Sequence, residues 1–170
     1  MSKKFEKNKF VLHHLSQEKR SALSAITKLF DSVAYPGDDN LITCVYGCHD
    51  DLKNALMGID WRAYVTKPFE IFGYFEKQPR VRFSRDGILH LTPAAFHYFV
   101  PLFIAAILLD PTESDVMVDT TCCMLMGSSF LELANAQQKL AVANAVQIAS
   151  TAPGFSFKEI EKLIKMLSTR

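Results

Sequence analysis

One run, residues 92–111, limits the fold more than any other part of the chain. Thr92 offers a side-chain oxygen to the first orphan amides of a helix. Pro93 suits the first helical position, where its missing N–H costs nothing. The residues from Ala94 to Leu109 are apolar almost without interruption, and Asp110-Pro111 ends them. A helix with no polar face has to be covered on every side, so the rest of the chain must supply a shell around it. Leu91 and Phe96 are placed to staple its start. Pro101 removes one backbone hydrogen bond and predicts a kink near residues 96–101. A membrane span needs ~20 apolar residues. Here His90, Thr92, Pro93, His97 and Pro101 leave only residues 101–109 uninterrupted. The run therefore reads as a core helix rather than a span.

The shell is legible in pieces. Ser16 can cap a helix to about Phe30, with Glu18 in its first turn. Ala22, Leu23, Ile26, Leu29, Phe30 and Val33 recur at three-to-four spacing as its buried face. Tyr35-Pro36-Gly37-Asp38-Asp39-Asn40 is turn chemistry, and residues 41–46 suit a short extended segment. Asp50 or Asp51 opens a short helix that Gly58 can end in a left-handed conformation. Trp61 follows as a core anchor, with a ligand platform as the rival reading. Pro68 can open a short helix holding Phe69, Phe72 and Phe75. The sequences Val81-Arg82-Phe83 and Ile88-Leu89-His90 flank Arg85-Asp86-Gly87 and predict a small hairpin. Residues 116–126 read as a buried helix stopped near Gly127. Asn135 with Gln138, and Ser156 with Glu159, are capping-box pairs that open two further helices. The last carries the stripe Phe157, Ile160, Leu163, Ile164 and Leu167. The expected fold is mainly α. Residues 1–9 form a polar tail, and residues 10–170 form a single compact domain of about five or six helices, with a small extended or hairpin element around residues 81–91.

Several landmarks occur in order: the loop from Tyr35 to Asn40, the Cys48 segment, Trp61, and the run Leu91-Thr92-Pro93-Ala94-Ala95-Phe96-His97-Tyr98-Phe99-Val100-Pro101. Together they resemble a small bacterial family of unknown function with a Tyr-Pro-Gly-Asp loop, a central Trp and a Leu-Thr-Pro-x-Ala-Phe-x-Tyr helix start. The resemblance covers roughly residues 20–150. The chain departs from it at Ala94, where the family pattern has an acid, and at Cys48-His49-Asp50. The resemblance implies a bacterial source and a mostly helical fold, and it brings no activity with it.

No secretory pattern follows the lysines at the N-terminus, which leads us to expect a cytoplasmic protein whose Cys44, Cys48, Cys122 and Cys123 are thiols. Cys44-x-x-x-Cys48-His49 is the nearest approach to a metal cluster. A tetrahedral zinc site would need a second pair from Cys122-Cys123, His90 or His97, and adjacent cysteines aim poorly at one ion. Buried thiols and a satisfied histidine are the simpler reading, so no metal and no cofactor are expected. A Cys–His nucleophile from Cys44 or Cys48 with His49 or His97 is not demanded by any spacing. Lys77, Arg80, Arg82 and Arg85 interleave with Tyr74, Phe75 and Phe83 in the pattern of a nucleic-acid groove. The run is short and the chain is close to neutral at +1, so no nucleic acid is expected.

Charge segregation is more informative. From Asp31 to Asp60 there are six Asp and a single Lys or Arg, Lys53; from Asp110 to Gln138 there are five acids and neither Lys nor Arg. Acidic loops on a small rigid domain suit a basic protein partner. The sequence thus suggests a non-enzymatic protein-binding domain, in concrete form an immunity-type inhibitor that occludes a basic toxin. Asp38, Asp39, Asp50, Asp51, Asp110, Glu113 and Asp115 would form its contact surface. The alternative is a small enzyme or ligand-binding protein whose pocket gathers Tyr35, Cys48, His49, Trp61 and His97. Oligomeric state is not legible.

Overall fold

The computed structural model describes residues 15–43, 50–72, 88–109, 115–153, 155 and 157–169. These form a mainly helical single domain built on the apolar run. Eight α-helices occur among the described residues: α1 Gln17–Phe30, α2 Asp50–Leu56, α3 Phe69–Phe72, α4 Pro93–Leu109, α5 Asp115–Leu125, α6 Ser128–Leu133, α7 Ala136–Ser150 and α8 Ile160–Ser168. The count exceeds five or six because α2, α3 and α6 are pieces of one or two turns. None of the helices among the described residues is long and apolar enough to cross a membrane.

Helix α4 is the axis. Thr92 Oγ1 accepts the Ala95 amide at 3.1 Å and donates to the Asn40 carbonyl at 2.5 Å, so the cap also ties the helix to the loop before it. The helix is not interrupted at Pro101, and every residue from Tyr98 to Leu109 is buried. α1 and α7 pack against each other and against α4, with α5 and α6 on its remaining sides and α8 laid over α7. Burying so many large side chains, each favourable by roughly 1.5–3 kcal/mol, supplies the main driving force. Phe96 stacks on Phe103 and meets Phe130 edge-on.

The cap signals were faithful guides to the long helices. Ser16 Oγ accepts the Lys19 amide at 3.3 Å at the start of α1. Both capping-box bonds at Asn135 and Gln138 are present, at 2.9 and 3.0 Å. Gly37 and Gly58 take the positive φ that their loops require, 88° and 66°. Two expectations need correction. Ile88–His90 is a tight helical turn in which the Leu91 amide returns to the Ile88 carbonyl at 3.1 Å, so it is not a strand of a hairpin. Leu91 instead forms an isolated antiparallel bridge with Ile42, flanked by bonds from Thr43 to His90 and from Thr92 to Leu41. Residues 81–87, the rest of that expected hairpin, lie outside the described residues. Likewise α8 begins at Ile160 rather than just after Ser156, itself outside the described residues, and Glu159 pairs with Lys162 at 2.8 Å.

Candidate functional site

The loop that follows α1 is fastened by a three-way contact. The Tyr35 hydroxyl donates to Asp38 Oδ1 at 2.5 Å and accepts from the Gly58 amide at 2.9 Å, while that amide also reaches Asp38 Oδ1 at 3.1 Å. Asp38, expected on a partner surface, thus commits one oxygen to holding the loop against the end of α2. Burial, then the bond to Asp38, pushes the Tyr35 phenol up to about 12. Its ring meets Tyr98 of α4 edge-on, with centroids 5.3 Å apart.

Beside this contact, Arg62 bridges two segments that are far apart in sequence. Its Nε donates to Asp31 Oδ1 at 2.7 Å, its Nη1 to Asp60 Oδ1 at 2.9 Å, and its Nη2 to the Asp31 carbonyl. The guanidinium carbon lies 4.7 Å from the centre of the Trp61 ring, a cation–π distance. Burial pushes the Asp60 carboxyl up, but hydrogen bonds from the Arg62 side chain and backbone outweigh it and leave Asp60 below its usual range. Arg62 is raised, first by its bond to Asp31. Burial, then the nearby Asp60 charge, raises the Tyr98 phenol.

These groups enclose an open cleft of about 450 Å³, lined by Asp31, Tyr35, Gly58, Asp60, Arg62 and Tyr98 among others. Two carboxylates, those of Asp31 and Asp60, hold one guanidinium, which leaves a net negative site lined by two tyrosines. The Asp31 and Asp60 side chains remain 69% and 58% exposed, so their outer oxygens face solvent. Asp39, next in sequence to Asp38, is fully exposed and 3.9 Å from the Lys53 ammonium.

Of the expected pocket residues Tyr35 and Trp61 lie at the cleft, whereas of the expected acidic surface Asp38 bonds Tyr35, Asp39 stands near Lys53, and neither lines it. Tyr35 lines the cleft. Trp61 is fully buried and backs the cleft through Arg62, so it is an anchor and not a platform. His97 is not in the cleft: its ring sits edge-on to Phe30 and Phe130, and its Nε2 meets Gln138 Oε1 at 3.3 Å. Burial lowers its pKa, only partly opposed by Gln138. Cys44, Cys48, His49, Asp110 and Glu113 lie outside the described residues, as do the side chains of Asp50, Asp51 and Asp115. Cys122 is buried, and burial drives its thiol far up, whereas Cys123 is exposed. Among the described residues, no three His, Cys, Asp or Glu side chains are grouped to hold a metal ion.

Sequence reasoning passed over Arg62, Tyr98, Asp31 and Asp60 as site residues. The available signal was Asp60-Trp61-Arg62 itself, since an Asp two residues before an Arg can cap a turn and hold the guanidinium at once. Asp60 Oδ1 does both, accepting the Arg62 amide at 3.1 Å. Set beside protein-family models, curated proteins and solved structures, the chain matches none.

Proposed function

We propose that the chain is a non-enzymatic protein-binding domain whose acidic, tyrosine-walled cleft receives a basic side chain of its partner. An immunity-type inhibitor that occludes the basic site of a toxin is the concrete form of this reading. One observation carries it. The carboxylates of Asp31 and Asp60, brought together from two segments, line a cleft walled by Tyr35 and Tyr98, and both side chains remain open to solvent. A guanidinium or ammonium entering there meets opposite charge beside the half-buried Tyr35 ring. The exposed Asp39 adds long-range attraction that speeds encounter.

The test is capture from the lysate of the source organism on immobilised wild-type chain and on the variant Asp39→Lys/Asp60→Asn, at about 50 and 300 mM salt. Asn at position 60 can still cap the turn. A single basic protein held near one-to-one by the wild type, and lost from the variant or at high salt, supports the reading. Equal retention by both chains, or nothing retained at either salt, overturns it.

A further inference from the structure

A second groove adjoins the cleft and shares Asp31 with it. It runs along the outer face of α1 against Val65 and Thr66, with a volume of about 540 Å³. That falls within the ~300–1,000 Å³ range of ligand-sized pockets. Leu23 and Val65 make its floor, Thr27 lines its middle, and Arg20 and Lys28 stand on its rim. Both cations are exposed on α1, and neither forms an ion pair with any described residue. Arg62, by contrast, is wholly engaged. The two depressions are therefore opposite in character: one is acidic and aromatic, the other apolar with a basic rim. Asp31 is the point where they join.

We infer that the partner contributes one short linear segment that spans both, with a basic residue at one end, apolar residues in the middle and an acidic residue at the other end. This rests on the acidic-cleft reading and specifies its partner. The geometry sets the register. Asp31 to Arg20 is eleven residues of helix, or about 16 Å at ~1.5 Å per residue. An extended chain rises ~3.3 Å per residue, so about five or six residues cover the distance. Thr27 and Leu23 stand about 6 and 12 Å from Asp31 along the helix. The apolar side chains of the segment therefore fall about two and four positions from its basic residue. Its carboxylate then reaches Arg20 while Lys28 flanks the middle. Charge complementarity at both ends fixes direction as well as position, because the segment laid the other way would set like charges against each other.

The experiment follows the backbone amides of the isotope-labelled full chain by NMR while three probes are added. These are N-acetyl-arginine amide, the peptide acetyl-Arg-Gly-Leu-Gly-Leu-Glu-amide, and the same peptide in reverse order. Arginine amide should shift the signals of Asp31, Tyr35, Gly58 and Asp60 alone. One peptide order should extend the shifts to Leu23, Thr27 and Val65 and bind about tenfold tighter than arginine amide. The variant Arg20→Glu/Lys28→Glu should bring that peptide back to within about twofold of arginine amide measured on the same variant, and should bind arginine amide no more weakly than the wild type does. Both substituted residues are exposed, so an otherwise unchanged spectrum will show that the variant is folded. If neither peptide binds tighter than arginine amide, or if the variant keeps the gain, the inference fails while the acidic cleft stands. If arginine amide leaves the cleft signals unmoved, the cleft reading falls and the inference with it.

Discussion

Gln138 is where a single substitution should cost most for its size. Its side chain is almost fully buried and holds three parts of the fold at once. Oε1 accepts the Asn135 amide at 3.0 Å and meets His97 Nε2 at 3.3 Å, and Nε2 donates to the Leu29 carbonyl at 3.0 Å. One amide thus closes the cap of α7, orients a histidine of α4 and ties down the last turn of α1. Gln138→Ala leaves three polar groups without their partner. The Asn135 amide lies at an exposed helix end, where water can replace the lost bond at a cost of about 0.5 kcal/mol. The Leu29 carbonyl and the His97 ring are more enclosed, and each should lose about 1–2 kcal/mol. The total is about 2.5–4.5 kcal/mol, a large fraction of the ~5–15 kcal/mol available to a domain. It corresponds to a fall in Tm of roughly 5–18 °C at this chain length.

Urea unfolding followed by circular dichroism measures this directly, and the slope should not change if the unfolded state is unaffected. A loss below about 1 kcal/mol would show that water takes over all three bonds, and would refute the reasoning. The same site predicts a pH dependence. Burial holds His97 below its ordinary value of ~6.5, so the unfolded chain takes up a proton that the folded one refuses. Stability should therefore fall as the pH drops below about 6.5, and level off once the folded form also protonates. The difference between wild type and His97→Gln across that window isolates the effect. Gln138→Glu should shrink it, because a carboxylate beside the ring favours imidazolium.

Other tests are shorter. Tyr35→Phe removes the donor to Asp38 and the acceptor for Gly58, and should lower stability by about 1–2 kcal/mol in a denaturant titration. In a spectrophotometric pH titration, one tyrosine should resist ionisation until about pH 12. Arg62→Ala should destabilise by about 1–3 kcal/mol, more than a surface ion pair is worth, because it also uncovers Trp61 and frees the Asp31 carbonyl. A thiol reagent applied to the folded chain should modify Cys123 and spare Cys122, as read by fragment mass spectrometry; labelling of both at equal rates would contradict the burial of Cys122.

What could be read from the sequence was what local chemistry decides. Ser16, Thr92-Pro93 and Asn135 with Gln138 mark helix starts because each satisfies amides within its own turn. Gly37 and Gly58 mark turns because the conformation they adopt disfavours other residues. The site was legible only in outline. The acid-rich stretch announced itself, but its division of labour did not. Asp38 is drawn inward by a tyrosine three residues away, and Asp31 is held by an arginine thirty-one residues on. Such pairings depend on where α1 and the Trp61 turn meet in space, which no periodicity reports. The second role of Gln138 was hidden for the same reason, since its contact with Leu29 spans 109 residues. The sequence groups His97 with Tyr35 and Trp61 in a pocket, yet His97 faces Phe30 and Gln138 while its neighbour Tyr98 lines the cleft, because successive helical positions point about 100° apart.

The enclosure of α4 also bears on how the protein is made. Chain growth delivers this helix before α5, α6 and α7, three of the elements that cover it. During that interval the ribosome carries a stretch with almost no polar side chains and a half-built shell. Domains emerge at ~5–20 residues per second, so the helix waits for seconds until α7 arrives. Nascent chains halted before residue 136 should therefore recruit chaperones or clump, whereas chains carried past residue 150 can close around their own centre.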